Sequence, residues 1–335
     1  MKPSDAGKQK SPRVPVSSGA EDREVVSREE DLSSSDDEVG GLLGNLFGDP
    51  DNSHGGDGKP YSYEWPEASV AVRSPASLER RITLTLPDND WDLMSHFVWE
   101  SSIKLADLIA MGVVVCEDKT VLELGAGAGL PGIVASRCGA SKVTITDYPS
   151  ETIIDALTAN VEKNIPSHDS GNASSENKKD DVVPESKAGE GDVTSQSEPF
   201  VFVRGHAWGT DVAPLLATLG TSNTSNISHT SDAGNGFQVI LAADTLWLHD
   251  QHDNLLETCA KCLLGDGAGT AYFTYQHHNE HAPSFFEKAE KEYGFIVRHV
   301  GKYAWGGRSL EDFDEDDEET MGPIFLATLR RKCTR

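Results

Sequence analysis

The stretch VLELGAGAGLPGI, residues 121–133, decides the fold, because an apolar run is followed at once by three glycines on alternate positions. The run TVLEL at 120–124 predicts a buried strand. Gly125, Gly127 and Gly129 have no side chain, so the backbone there can approach a ligand closely. In an open α/β sheet, ligands bind beyond the carboxyl ends of the strands. The stretch therefore predicts the strand, loop and helix of a nucleotide-binding unit.

Apolar segments of strand length alternate with segments of helical spacing along the rest of the chain. The predicted strands cover 81–87, 120–124, 142–147, 200–205, 237–244, 269–275, 294–300 and 323–331. The predicted helices cover 97–112, 131–138, 150–164, 211–217, 250–264 and 282–293. This alternation favours a parallel sheet with helices on both faces.

The last two predicted strands are joined by a polar connection that contains LEDFDEDDEET and shows no helical pattern. Two strands joined without a crossover helix should pair antiparallel. We therefore expect an α/β fold, a Rossmann-like doubly wound sheet with a reversed edge strand.

Three segments have the composition of chain that does not join a core. Residues 1–60 are rich in Ser, Asp, Glu and Gly, and we expect them to form a disordered acidic tail. Low-complexity stretches at 166–198 and 220–236 each precede a strand-like run, so we expect both to be surface insertions. The remaining chain, 61–335, is predicted to be one domain that carries both insertions.

The charge of the chain restricts its partners. With 55 acidic and 29 basic residues, the formal net charge is −26, which argues against binding to nucleic acid. A basic protein or a neutral small molecule is the expected partner. The sequence shows neither a signal peptide nor an apolar run long enough for a membrane span, and its five scattered cysteines suit reduced thiols. We therefore expect a protein of the cytosol or the nucleus.

The glycine loop favours a ligand without a pyrophosphate. The dinucleotide fingerprint needs a glycine where Leu130 stands, and Pro131 removes one N–H from the start of the helix. Glu123, just before the loop, would repel phosphate but could face a positively charged amino-acid group. Asp147 ends the next strand, where an acid can bind the ribose hydroxyls. These features favour S-adenosylmethionine; in the alternative, the glycines form only a tight turn and the acids are solvated.

Two other clusters could hold a metal, but we predict no metal site. Cys259 and Cys262 lie in a helical run without a second such pair. His249 and His252, with a further group at 277, 278 and 281, follow the fourth and fifth strands of the unit and suit the rim of a site better.

Five motifs resemble those of the seven-β-strand methyltransferases, and within them the methyltransferase-16 family of protein lysine methyltransferases. They are VWESS at 98–102, VLELGAGAGLPGI at 121–133, TDYPS at 146–150, HAWG at 206–209 and AADTLW at 242–247. The resemblance implies the class I methyltransferase fold with S-adenosylmethionine as cofactor. The closest likeness is to a fungal branch named both nicotinamide N-methyltransferase-like and elongation-factor methyltransferases.

The resemblance also implies roles for single residues. Gly125, Gly127 and Gly129 would line the methionine part of the cofactor, and Asp147 would bind its ribose. Trp99, Trp208 and Ala243 would contact the cofactor too, Trp208 near the adenine.

The acceptor side rests on the family signature Asp-x-x-Tyr, which reads Asp244, Thr245, Leu246, Trp247 in this chain. We expect Asp244 to orient the substrate nitrogen and Trp247 to form one wall of a cation-recognising pocket. The exchange of Tyr for Trp removes a hydroxyl at the amine.

The expected activity is methylation of protein lysine by a monomeric enzyme, and by resemblance the acceptor is translation elongation factor 1A. Two alternatives stay open at this point. The first is N-methylation of a small molecule such as nicotinamide. The second is a cofactor-binding scaffold without activity.

Overall fold

The glycine stretch begins in an inner strand of a seven-stranded sheet. The computed structural model describes residues 60–66, 81–86, 97–165, 200–220, 235–276, 282–313 and 322–332. All the described residues belong to one compact unit. Residues 1–59 of the predicted tail and the insertion at 166–198 lie outside this part, as does most of the insertion at 220–236, so the predictions about them stay predictions.

The strands are β1 Tyr61–Glu64, β2 Arg81–Leu84, β3 Thr120–Leu124, β4 Lys142–Asp147, β5 Phe200–Gly205, β6 Val239–Ala243, β7 Thr270–Gln276, β8 Phe295–Tyr303 and β9 Ile324–Arg331. The helices are α1 Glu100–Ala110, α2 Leu130–Arg137, α3 Glu151–Asn164, α4 Ala213–Leu216, α5 His252–Cys262 and α6 Ala282–Lys291. Short 3-10 turns cover Ala217–Leu219, His249–Gln251 and Leu310–Asp312. Each predicted strand and helix is present in the structure, with ends that either match or differ by at most three residues.

The strand order of the main sheet is β5-β4-β3-β6-β7-β9-β8. The first five strands in that order are parallel, and β9 pairs antiparallel with both β7 and β8. Strand order reverses between β3 and β6, because the chain first adds β4 and β5 on one side of β3 and then crosses to the other. A ligand site is expected at the carboxyl ends of the strands on either side of this switch point.

The expectation of an antiparallel last pair is confirmed, but the reversed strand is not at the edge. β9 lies between β7 and β8, so β8 is the edge strand. The crossover through α6 leaves a gap one strand wide, and β9 fills it with hydrogen-bonded ladders on both of its sides.

Helices cover both faces of the sheet and enclose two apolar layers. Side chains of α1, α2 and α3 pack on one face, where the small β1–β2 sheet joins them. Side chains of α4, α5 and α6 pack on the other face. None of the helices in the described ranges is long and apolar enough to cross a membrane.

Candidate active site

A cavity of about 380 Å³ opens at the carboxyl ends of β3, β4, β5 and β6, on both sides of the switch point. Its volume falls within the usual range for small-molecule sites. Nineteen residues line it: Phe97, Val98, Trp99, Ser102, Gly125, Ala126, Gly127, Ala128, Asp147, Tyr148, His206, Ala207, Trp208, Ala243, Asp244, Thr245, Trp247, Leu248 and Gln251. Eight of the ten predicted site residues are among them.

The glycine loop forms the floor of the cavity. A Cβ placed on Gly127 would meet no atom within 4 Å, so this position faces open space. Gly127 has φ +53°, in the left-handed region that glycine adopts most easily. At Gly125 the ring of Trp208 already comes to 3.0 Å from the place of a Cβ, so the indole packs directly on the loop.

Asp147 is fixed at the end of β4 by backbone donors. The N–H of Gly127 donates to its Oδ2 at 2.6 Å, and the N–H of Tyr148 donates to its Oδ1 at 2.6 Å. Each carboxylate oxygen can accept more than one hydrogen bond. The carboxylate is therefore held in a single orientation at the cavity wall while it can still accept hydrogen bonds from a diol.

Glu123 and Gly129 do not line the cavity, contrary to their predicted placement. Glu123 is 1 % exposed and accepts a hydrogen bond at 2.9 Å from the N–H of Gly132 in the first turn of α2. Burial raises the pKa of Glu123 to about 8, the nearby Asp147 adds to the rise, and the Gly132 N–H opposes it. Gly129 faces Leu157 on α3, whose Cδ1 lies 2.5 Å from the place of a Cβ. Both residues support the loop from the side away from the cavity.

His206, Ala207 and Trp208 form the wall beyond Asp147. The N–H of His206 donates to the backbone oxygen of Asp147 at 2.7 Å, which ties the end of β5 to the end of β4. The His206 side chain is 5 % exposed, and burial lowers its pKa, although Asp211 acts in the opposite direction. Its Nε2 is buried and has no hydrogen-bond partner within the described ranges.

Asp244 and Trp247, the residues predicted to bind the acceptor, are also at this cavity. Asp244 directly follows β6, is 8 % exposed and has φ +52°, a conformation that Asp tolerates better than most residues. Its N–H donates to the backbone oxygen of Thr274 on β7 at 2.8 Å, which fixes the turn. Trp247 and Trp99 line the same cavity, and Trp99 contacts Phe97 edge to face at 5.6 Å between ring centres. A buried carboxylate therefore shares the cavity with several aromatic rings.

Sequence reasoning did not single out several lining residues. His206 and Thr245 lie inside motifs whose other members were chosen, and Phe97 comes just before VWESS. Tyr148 follows Asp147 and is 52 % exposed. The sequence signal for these four residues was their place inside or next to a motif that contains a predicted site residue.

The clusters considered for metal binding occupy other places. Cys259 and Cys262 are buried on α5, and burial raises the pKa of Cys262 to about 12. His252 is buried against Phe285 and its Nε2 lies 2.9 Å from the backbone oxygen of Leu246. The histidines at 277, 278 and 281 lie outside the described residues. Within the described ranges, no three His, Cys, Asp or Glu side chains are grouped so as to hold a metal.

Comparison with known proteins gives consistent matches. A family model described as lysine methyltransferase matches residues 79–181. The protein N-terminal and lysine N-methyltransferase EFM7 of Gibberella zeae is 31% identical over 212 residues, which cover 62% of this chain and 68% of that protein. The protein of the same name in Schizosaccharomyces pombe is 27% identical over 62% of this chain and 67% of its own length. In Eremothecium gossypii the identity is 28%, over 83% of this chain and 92% of that protein.

The doubly wound sheet with its reversed strand, together with the cavity at the switch point, defines a Rossmann-like methyltransferase that uses S-adenosylmethionine. Within that class the chain belongs to the lysine methyltransferase family.

The residues of the cavity fit the cofactor. The open space at Gly127 admits a ligand against the backbone, and the anchored Asp147 carboxylate offers acceptors for ribose hydroxyls. Trp208 presents a flat ring beside the loop. Asp147 would hold the ribose, the backbone at 125–128 would hold the methionine part, and Trp208 would contact the base.

Proposed function

We propose that this protein methylates amines of a protein substrate, namely lysine ε-amines and an N-terminal α-amine. The observation that carries the proposal is the buried carboxylate of Asp244 in the same cavity as Trp99 and Trp247. A carboxylate beside aromatic rings suits an amine, because both attract the positive charge that develops on its nitrogen. The names of the relatives, which state both kinds of acceptor, support a protein substrate over a nicotinamide-like one.

In the proposed reaction the cofactor supplies the methyl group, and the protein deprotonates and orients the amine by its surroundings. S-adenosylmethionine supplies a methyl group that is already activated on a positively charged sulfur. The aromatic walls exclude water from the amine, which lowers its pKa and leaves a lone pair on the nitrogen. Asp244 accepts a hydrogen bond from an N–H of that amine and orients the lone pair along the cavity. No covalent intermediate with the protein is needed.

The nature of the acceptor is a finer proposal. The net charge of −26 supports a basic protein, and the likeness of the five motifs to elongation-factor methyltransferases makes elongation factor 1A our candidate. We propose that the enzyme acts on it as a monomer, in the cytosol or the nucleus, without binding nucleic acid or membranes. Light scattering after size-exclusion chromatography measures the mass of the enzyme directly.

The test is transfer of tritiated methyl groups to purified elongation factor 1A, with and without an acetylated N-terminus. Mass spectrometry then locates each methyl group. Asp244→Asn is the key variant, because Asn tolerates the left-handed backbone but carries no charge. Asp266→Asn is the matched control. Asp266 also has a left-handed φ, +55°, but it precedes the amino end of β7, whereas the cavity is at the carboxyl ends of the strands.

We expect Asp244→Asn to lower kcat/KM by roughly 100- to 1,000-fold, the usual effect of losing one oriented polar group at the reacting centre. Affinity for S-adenosylhomocysteine should change little, and Asp266→Asn should behave as the wild type. Label found only in small molecules would overturn the proposal of a protein acceptor. Label in other proteins but not in elongation factor 1A would overturn only the named acceptor.

A further inference from the structure

The order of the strands sets the order of cofactor groups along the cavity. Asp147, at the end of β4, is the predicted ribose acid, and the glycine loop after β3, which is predicted to hold the methionine part, lies on one side of it. The base must therefore lie on the other side, toward the end of β5. In the β4–β5 register Asp147 is opposite Gly205, so the residue that directly follows, His206, lies where the base is expected.

His206 is built into this wall with one nitrogen unsatisfied. The side chain is almost fully buried, lines the cavity, and its Nε2 has no hydrogen-bond partner within the described part of the chain. A buried polar atom without a partner costs stability, so such an atom on a residue that lines a ligand cavity points to a group on the ligand.

The other ring nitrogen decides what Nε2 can do. The hydroxyl of Thr210 donates its proton to the backbone oxygen of Ala207 at 2.6 Å. Thr210 Oγ1 also lies 3.4 Å from His206 Nδ1. Because the hydroxyl proton is donated to Ala207, Oγ1 can act toward Nδ1 only as an acceptor. This arrangement favours the tautomer with the proton on Nδ1, in which Nε2 of the neutral imidazole is an acceptor.

We propose that His206 is the residue that selects adenine in the cofactor, through a hydrogen bond from the exocyclic 6-amino group of the base to Nε2. Among the polar groups on the edge of adenine, only this amino group donates. A base with an oxygen at position 6 would set two acceptors against each other and would be rejected. The inference rests on the cofactor used in the proposed function but not on the identity of the acceptor.

Calorimetric titration with two ligands tests the inference without any measurement of activity. The first ligand is S-adenosylhomocysteine, and the second is S-inosylhomocysteine, in which an oxygen replaces the amino group and N1 carries a proton. The wild type should bind the adenosyl compound roughly 10- to 100-fold more tightly, the usual effect of one buried hydrogen bond replaced by an unsatisfied acceptor. His206→Phe should keep an aromatic ring without a nitrogen and reduce this ratio to near 1. Thr210→Val, at an exposed position, should lower the ratio of the two affinities, because Nδ1–H loses the hydroxyl oxygen that accepts from it.

NMR on the wild type provides a test that does not depend on a folded variant. Long-range proton–nitrogen spectra should show His206 Nε2 unprotonated, with a shift on addition of S-adenosylhomocysteine that the inosyl compound does not produce. A wild type that binds both compounds equally would overturn the inference, and so would a protonated Nε2 or an undiminished ratio in His206→Phe. Failure to bind either compound would instead contradict the cofactor site itself.

Discussion

Alanine substitution of two glycines in the same loop should separate support of the loop from contact with the cofactor. Gly127 and Gly129 both have a positive φ, +53° and +80°. Their surroundings differ, because a Cβ on Gly127 meets nothing within 4 Å while one on Gly129 lies 2.5 Å from Leu157 Cδ1. We expect Gly129→Ala to lower stability and Gly127→Ala to lower cofactor affinity.

The magnitudes follow from these contacts. Forcing a non-glycine residue into the left-handed region costs about 1 to 2 kcal/mol at either position. At Gly129 the overlap adds about 1 to 3 kcal/mol, because Leu157 is fully buried and has little room to move. Gly129→Ala should therefore lose about 2 to 5 kcal/mol of unfolding free energy, and Gly127→Ala only about 1 to 2 kcal/mol.

Urea unfolding and calorimetric titration with S-adenosylhomocysteine measure the two effects on the same preparations. The new methyl group at Gly127 projects into the cavity and should weaken binding at least ten-fold, by about 1.4 kcal/mol or more. Folded Gly129→Ala should bind within a few-fold of the wild type. If the roles are reversed, with Gly129→Ala fully stable and deficient only in binding, the assignment of Gly129 to loop support is wrong.

Three further substitutions test the supports of the site. The carboxyl of Glu123 has its pKa raised from 4.5 to about 8, so its contribution to stability is complete below pH 4.5 and is lost as the pH rises through about 8. Glu123→Gln should remove this loss of unfolding free energy, which is on the order of a few kcal/mol. Urea unfolding of the wild type and the variant from pH 5 to pH 8.5 measures it, and an equal dependence of the unfolding free energy on pH in both proteins would contradict the prediction. Trp208→Ala should weaken binding of S-adenosylhomocysteine by roughly 10- to 100-fold, while Trp208→Phe, which keeps an aromatic ring for the base, should lose much less; equal losses in calorimetric titration would argue against stacking. Asn160→Leu should cost about 2 to 4 kcal/mol, because Asn160 hydrogen-bonds the backbone oxygen of Ala128 and both backbone groups of Thr85; a thermal midpoint unchanged from the wild type would show that these bonds are replaced by water.

The strands and the reversal of the last pair could be predicted from the sequence because they are local properties. TVLEL and KVTITD are apolar runs of strand length, and their bounds in the structure match the pattern. The position of β9 could not be predicted in the same way. It depends on the gap that the crossover through α6 leaves in the sheet, and no pattern within β8 or β9 encodes this gap.

The site residues also divide into those whose place follows from the local sequence and those whose place depends on distant contacts. Asp147 and Asp244 directly follow apolar strands, so the general rule for α/β sheets places them at the carboxyl edge. Glu123 is inside a strand, and its side chain points to the face that Val121 shares. That face is covered by α2, whose Gly132 N–H meets the carboxyl. Gly129 likewise depends on Leu157, a contact between residues far apart in sequence.

The same topology explains how long low-complexity segments coexist with a narrow site. The described residues next to them are Ile165, after α3, and Phe200, at the start of β5; Gly220 and Asn235 flank the second gap before β6. In a parallel sheet the starts of these strands lie at the amino edge, opposite the cavity. The cost of closing a longer loop there grows only slowly with its length. The carboxyl ends of β4 and β6, which carry Asp147 and Asp244, are held by the strand pairing itself, so the length of chain at the amino edge can vary without moving either carboxylate.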